Sequence, residues 1–200
     1  MAASKPCESF VKMADAPKLV CIFFAEFHDR KGRQIAYQVP QELISKEHFD
    51  AISAFILPKR EVTGKLIKVN FAGLKVMGYP VAITDAKYLR YLYMFNMCFV
   101  VKRADVGTNS REIDSLYEPL VQKTAEYLMT IEKYSRFLSN PETKQTLPGI
   151  MRKILDDLNS KGQCVIEVTE STTINLILSP FSIDPAENIP LYMVRFIFYQ

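Results

Sequence analysis

Two stretches of this chain, KLVCIFFAEF at residues 18–27 and MFNMCFVV at 94–101, are rich in β-formers and apolar at nearly every position. A strand with one wet face alternates apolar and polar residues, because successive side chains point to opposite sides. These runs do not alternate, so both of their faces need cover. They read as central strands of a sheet with helices packed on each side.

The remaining segments supply that cover. His28-Asp29-Arg30-Lys31-Gly32 is a turn with glycine where a positive φ is needed. Residues 33–39 (RQIAYQV) then alternate, placing Ile35, Tyr37 and Val39 on one face of a half-exposed edge strand. Ser45 is a helix N-cap with Glu47 in the first turn, and Phe49, Ile52, Phe55 and Ile56 recur at helical spacing up to Pro58. Residues 65–71 and 74–84 are two more strands about Ala72-Gly73, with Gly78 and Pro80 marking a bulge or an edge. Residues 103–114 form a polar loop.

A long helix starts near Ser115, with Pro119 in its first turn and Leu116, Leu120, Val121, Leu128, Ile131 and Leu138 as its stripe. Asn140-Pro141 breaks it. Leu147, Ile150, Met151, Ile154, Leu155 and Leu158 then mark another helix, stopped by Gly162. Residues 164–168 and 173–178 are short strands, followed by a proline-rich stretch and a β-prone end. The order β-β-α-β-β-β-α-α predicts an α+β, three-layer domain. Its five-stranded, mainly antiparallel sheet carries one helix on one face and two on the other.

Bulk properties narrow the function. A net charge of +3 with no basic cluster argues against nucleic acid. No apolar run approaches the roughly 20 residues a membrane-spanning helix needs. Cys7, Cys21, Cys98 and Cys164 are scattered with no CxxC, and three lie in apolar runs as reduced core thiols. HExxH, GxSxG, P-loop and GxGxxG patterns are all missing. His28 is a lone turn histidine, Asp156-Asp157 is a polar helix face, and Glu26 reads as a solvated carboxylate at a strand end. No metal site and no cofactor is expected.

One residue stands apart. In KYLRYLYMFNMCFVVK the only charge between the flanking lysines is Arg90, at the mouth of the second apolar run. It is either a surface arginine snorkelling or paired to an acid such as Asp85, or a loop guanidinium braced by Tyr88, Tyr91 and Tyr93. In the second case it can enter another protein's phosphate site and stabilise charge during phosphoryl transfer, as an arginine finger does. Local pattern leaves both open.

CIFFAEFHDRKGRQIAYQVP, ISKEHFDAI, GYPVAI, KYLRYLYMFNMCFV and LDDLNSKGQCVIEV together resemble, in order and with similar gaps, the nitrogen permease regulator 2-like family. The resemblance covers most of the chain and implies a longin domain over residues 18–162. Residues 1–17 are then a flexible leader, and 163–200 the short strands and extended tail that begin a truncated further region.

It also implies a subunit of the GATOR subcomplex that activates GTP hydrolysis by Rag GTPases and restrains TOR signalling, with autophagy, during amino-acid starvation. The implied partners are the regulator 3-like subunit, through a longin–longin heterodimer, and a large DEP-domain subunit. The implied site of action is the cytoplasm, with peripheral recruitment to the lysosomal membrane. The family's catalytic arginine lies in a K-Y-x-R motif followed by Phe-Asn, which maps here onto Lys87-Tyr88-Leu89-Arg90 and Phe95-Asn96. Arg90 is thus the expected finger, with Tyr88, Tyr91 and Asn96 supporting it. Relatives carry Asn where this chain has Tyr91. The alternative is a non-catalytic longin module whose edge strand, through Ile35, Tyr37 and Val39, pairs with the paralogous subunit.

Overall fold

In the computed structural model the two apolar runs are neighbouring antiparallel strands, β1 (Leu19–His28) and β6 (Leu92–Lys102), at the centre of the main sheet. Residues 18–103, 110–161, 164–170 and 172–178 are described. The expected leader with Cys7, the residues beyond 178, Gly162 and half of the predicted polar loop lie outside them. β2 (Gly32–Val39) pairs with the outer side of β1. On the other flank of β6 come β4 (Leu74–Gly78) and then β3 (Ile67–Phe71), so the sheet order is β2-β1-β6-β4-β3.

A further strand, β5 (Val81–Thr84), makes the sheet six-stranded rather than five-stranded. Phe95 of β6 pairs with Glu26 of β1 on one side and Val81 of β5 on the other, so β5 continues the lane of β4. The strand expected over 74–84 is therefore one lane with a gap at Tyr79-Pro80. Proline has no N–H to give the ladder, and the Pro80 carbonyl instead accepts from the Gly64 N–H at 2.8 Å.

Helix α1 (Lys46–Ile56) covers one face. Ser45 caps it, its Oγ accepting from the His48 N–H at 3.2 Å, and Pro58 forbids a further turn by restricting Leu57. Phe49, Ile52 and Ile56 pack on Cys21, Phe23, Ala25, Cys98 and Val100. Phe55, expected in that stripe, is 63% exposed, because it lies about 100° around the helix from Ile56 and off the face that Phe49, Ile52 and Ile56 bury.

The opposite face carries α2 (Ser110–Ser135) and α4 (Leu147–Lys161), joined through the short α3 (Pro141–Lys144). Ile22, Phe24, Phe95, Met97 and Phe99 meet Leu120, Val121, Leu128, Met151 and Ile154 there. Each such burial stabilises by about 1.5–3 kcal/mol relative to exposure. α2 begins at Ser110, upstream of the predicted start, so Pro119 lies inside the helix. Burial of Ile113 and Tyr117 extends the stripe across the proline and offsets the missing N–H bond. A separate hairpin, β7 (Cys164–Glu170) with β8 (Thr172–Leu178), runs beside α4 and α2, and Cys164 enters the core.

The edge strand departs from simple alternation. Tyr37 pairs with Phe24 but Ile35 with Ala25, so Ala36 is an extra, bulged residue. The slip turns Ile35 toward the α1 side while Tyr37 and Val39 join the α2/α4 core, and Val39 is buried. Ile35, Tyr37 and Val39 therefore do not share a face, although β2 is an edge as expected. Gly78 is no edge marker either. It lies inside the sheet, where a Cβ would meet both side-chain atoms of Asn96 and the Cys98 sulfur at 2.7 Å.

Candidate functional site

The head of β6 is a tight turn closed by the sequence just before it. The Asp85 carboxylate accepts from the Lys87 N–H at 3.0 Å, and its carbonyl accepts from the Tyr88 N–H at 3.2 Å. The Tyr88 carbonyl in turn accepts from the Tyr91 N–H at 2.9 Å, closing a 3-10 turn over Leu89–Tyr91. Arg90 and Tyr91 both lie in the left-handed region, at φ 61 and 58. That region costs an L-residue with a Cβ about 1–2 kcal/mol, so neighbouring contacts hold the turn.

Those contacts come from below it. Tyr88 is buried and its ring stacks on Tyr93, centroids 5.4 Å apart at 25°. Tyr93 leans on Phe95, and Phe95 stacks on Phe24. The Tyr88 hydroxyl donates to Glu132 at 2.7 Å, and the Tyr93 hydroxyl lies 3.1 Å from Glu26. Burial first, and then the hydrogen bond to Glu132, push the Tyr88 phenol well above its ordinary range. Burial and the Glu26 carboxylate do the same at Tyr93. Lys87 lies 5.1 Å over the Tyr88 ring and reaches the carbonyl of Lys133 at the end of α2.

Beside the turn is a cleft of about 280 Å³ lined by Lys87, Tyr88, Leu89, Tyr93, Arg136 and Lys144 among others. His28 also borders it, but its Nδ1 accepts from the N–H groups of Arg30 and Lys31 and so serves the β1–β2 turn. Among the described residues no cluster of His, Cys, Asp or Glu is arranged to hold a metal. Cys21, Cys98 and Cys164 are free and buried, and burial raises the Cys21 and Cys164 thiols to about 12. They offer no thiolate at neutral pH. Asp157 is held to about 2 by its hydrogen bonds from Lys153 and Lys161, one helical turn away on either side, as suits a solvated face.

Arg90 is exposed, and among the described residues its guanidinium makes no hydrogen bond or ion pair. The pairing with Asp85 considered from the sequence is not formed. The cation nearest that carboxylate is Lys87, at 4.0 Å. The neighbours divide differently from expectation. Tyr88 and Tyr93 brace the turn, Tyr93 from inside β6 rather than from a loop. Tyr91 is 67% exposed and holds the turn through its backbone N–H rather than its ring, and Leu89 is 66% exposed on the other side of Arg90.

Asn96 is apart from them. It faces α1, where its Nδ2 donates to the Ile56 carbonyl at 2.8 Å and caps that helix, while its buried Oδ1 has no partner. Its proximity to Arg90 in the motif is a proximity along the chain.

One carboxylate of the site is placed otherwise than the sequence suggested, and another escaped the sequence reading. Glu26 is not solvated. It is buried and paired with Lys144, because the α2–α4 connection folds over the end of β1. Glu132 is fully buried at the end of α2. Its position one turn after Leu128 on the apolar stripe was the available signal, since a carboxylate there demands partners.

A model of the nitrogen permease regulator 2 family matches residues 17–198. The GATOR complex protein NPRL2 of Drosophila melanogaster is 40% identical over 156 residues, which is 78% of this chain and 36% of the fly protein. The nitrogen permease regulator 2 homolog of Schizosaccharomyces pombe is 29% identical over 183 residues, 86% of this chain and 43% of the yeast protein. The chain thus spans under half the length of these curated relatives. Among the described residues no helix is long and apolar enough to cross a membrane.

Proposed function

The chain belongs to the nitrogen permease regulator 2 family, and on that premise we propose that it is a regulatory subunit of a GTPase-activating GATOR complex. In this reading Arg90 enters, in trans, the nucleotide site of a Rag GTPase and stabilises the charge developing on the transferred phosphoryl oxygens. The complex restrains TOR signalling at the lysosomal surface when amino acids are scarce. A regulator 3-like longin subunit and a large DEP-domain subunit assemble with the chain.

The observation that carries this reading is the exposed guanidinium, unpartnered among the described residues, on a strained turn whose base is buried and hydrogen-bonded on both sides. A surface arginine with no task beyond solubility needs no such turn. Leu89 and Tyr91 flank it as exposed apolar contacts, suited to the rim of a partner's site. In this reading the attacking water and the metal ion are supplied by the GTPase, and the chain supplies the guanidinium.

Single-turnover GTP hydrolysis in the assembled complex tests this. Arg90→Ala and Arg90→Lys should each lower the stimulated rate by about 10³–10⁵ while the subunits still co-purify. Lysine fails because it lacks the planar fork that bridges two oxygens. Hydrolysis at the wild-type rate with either variant would sink the proposal.

The edge position of β2 favours a second reading, a longin-type pairing module. There Arg90→Ala is silent, and Tyr37→Pro in β2 removes the paralogous subunit from the purified complex.

A further inference from the structure

Glu132 has no place in the sequence motif, yet its carboxylate joins two separate parts of the molecule. One oxygen accepts the backbone N–H groups of Leu138 and Ser139, at 2.6 and 3.0 Å, at the corner that follows α2. The other accepts the Tyr88 hydroxyl at 2.7 Å. Satisfying the corner needs only the first oxygen. The second is committed to the residue whose carbonyl closes the turn over Arg90.

The linkage is mechanical. Moving Tyr88 moves the acceptor of the Tyr91 N–H, and that hydrogen bond is what the left-handed Arg90 and Tyr91 require to stay in place. Lys87 ties the same corner to the same turn through the Lys133 carbonyl at 3.3 Å. On the far side, Tyr93 meets Glu26, which is paired with Lys144. The turn is therefore held between two buried carboxylates, and the Glu132 arm is the one that touches its base.

We propose that Glu132 is a positioning residue for the Arg90 guanidinium, acting through the Tyr88 hydroxyl to keep the turn in its presenting conformation. This rests on the finger reading given above. Glu132 touches neither nucleotide nor partner in this scheme. It sets how often Arg90 is ready rather than how tightly the complex docks.

Tyr88→Phe is the decisive variant, because it removes one hydroxyl and leaves both the ring stack and the corner bonds of Glu132. In single-turnover hydrolysis by the assembled complex, the maximal rate should fall about tenfold, as loss of a hydrogen bond to a charged group implies. The complex concentration giving half that rate should not change. Glu132→Gln should lower the maximal rate in the same direction.

Tyr91→Asn, which eases the left-handed backbone, should return part of the rate to Tyr88→Phe and add less to wild type. A merely structural role predicts no such rescue. The inference is overturned if Tyr88→Phe keeps the wild-type maximal rate while Arg90→Ala is inactive, or if only the half-saturating concentration rises. If Arg90→Ala is itself fully active, the finger reading falls and this inference falls with it.

Discussion

The head of β6 and its centre obey opposite rules. At the head, Arg90 and Tyr91 are exposed in a backbone region that disfavours them, and side-chain hydrogen bonds from beneath hold the turn. At the centre, Asn96 is sealed in ordinary extended backbone, fitted against a glycine and spent on the end of α1. The sequence motif presents them as one unit. In the fold, one end displays a charge while the other fixes the sheet to a helix, and the two face different neighbours. A shared motif therefore does not make a shared site.

The contrast breaks most sharply at Arg90. Arg90→Ala should remove about 10³–10⁵ in stimulated hydrolysis yet leave urea unfolding within about 0.5 kcal/mol of wild type, as for other exposed positions. Asn96→Asp should do the reverse. It replaces the donor to the Ile56 carbonyl by a buried carboxylate at the same volume, costing about 3 kcal/mol or more in the same unfolding measurement. The complex assembled with the protein that remains folded should stimulate hydrolysis to the normal maximal rate.

Gly78→Ala sharpens the central half of the comparison. The added methyl overlaps Asn96 and Cys98, and overpacking of this kind costs about 1–3 kcal/mol in thermal or urea unfolding. Tyr91→Asn sharpens the other half with the opposite sign. Relief of left-handed strain should stabilise by about 1 kcal/mol, read as a higher unfolding midpoint.

The smallest effect is an expected silence at the centre. Burial holds the Cys21 thiol near 12 and also pushes the Cys98 thiol well above its ordinary range. Raising the pH to 9 leaves both protonated. Iodoacetamide should then label neither until the protein unfolds, and rapid native-state labelling would contradict the packing.

The amino-acid pattern determined much of this protein on its own. Continuous apolar runs demand cover on both faces, so β1 and β6 had to be central and helices had to lie on each side. Ser45, Pro58 and the spacing of residues 147–158 fixed two of the helices, because caps, prolines and the helical period act within a few residues. Arg90 stood out for the same local reason, as the lone charge beside an apolar run. What the sequence left open were decisions made between segments.

The bulge at Ala36 reassigned Ile35 to the other face, and the split at Pro80 made one strand into two. The return of the chain after α2 buried Glu26, and the packing of α2 on the sheet gave Glu132 a partner 44 residues away in Tyr88. Periodicity reports which side of an element is dry. It cannot report which distant hydroxyl will meet a buried carboxylate, because that depends on how the layers stack. Arg90 was legible in the sequence; the brace beneath it exists only in the folded chain.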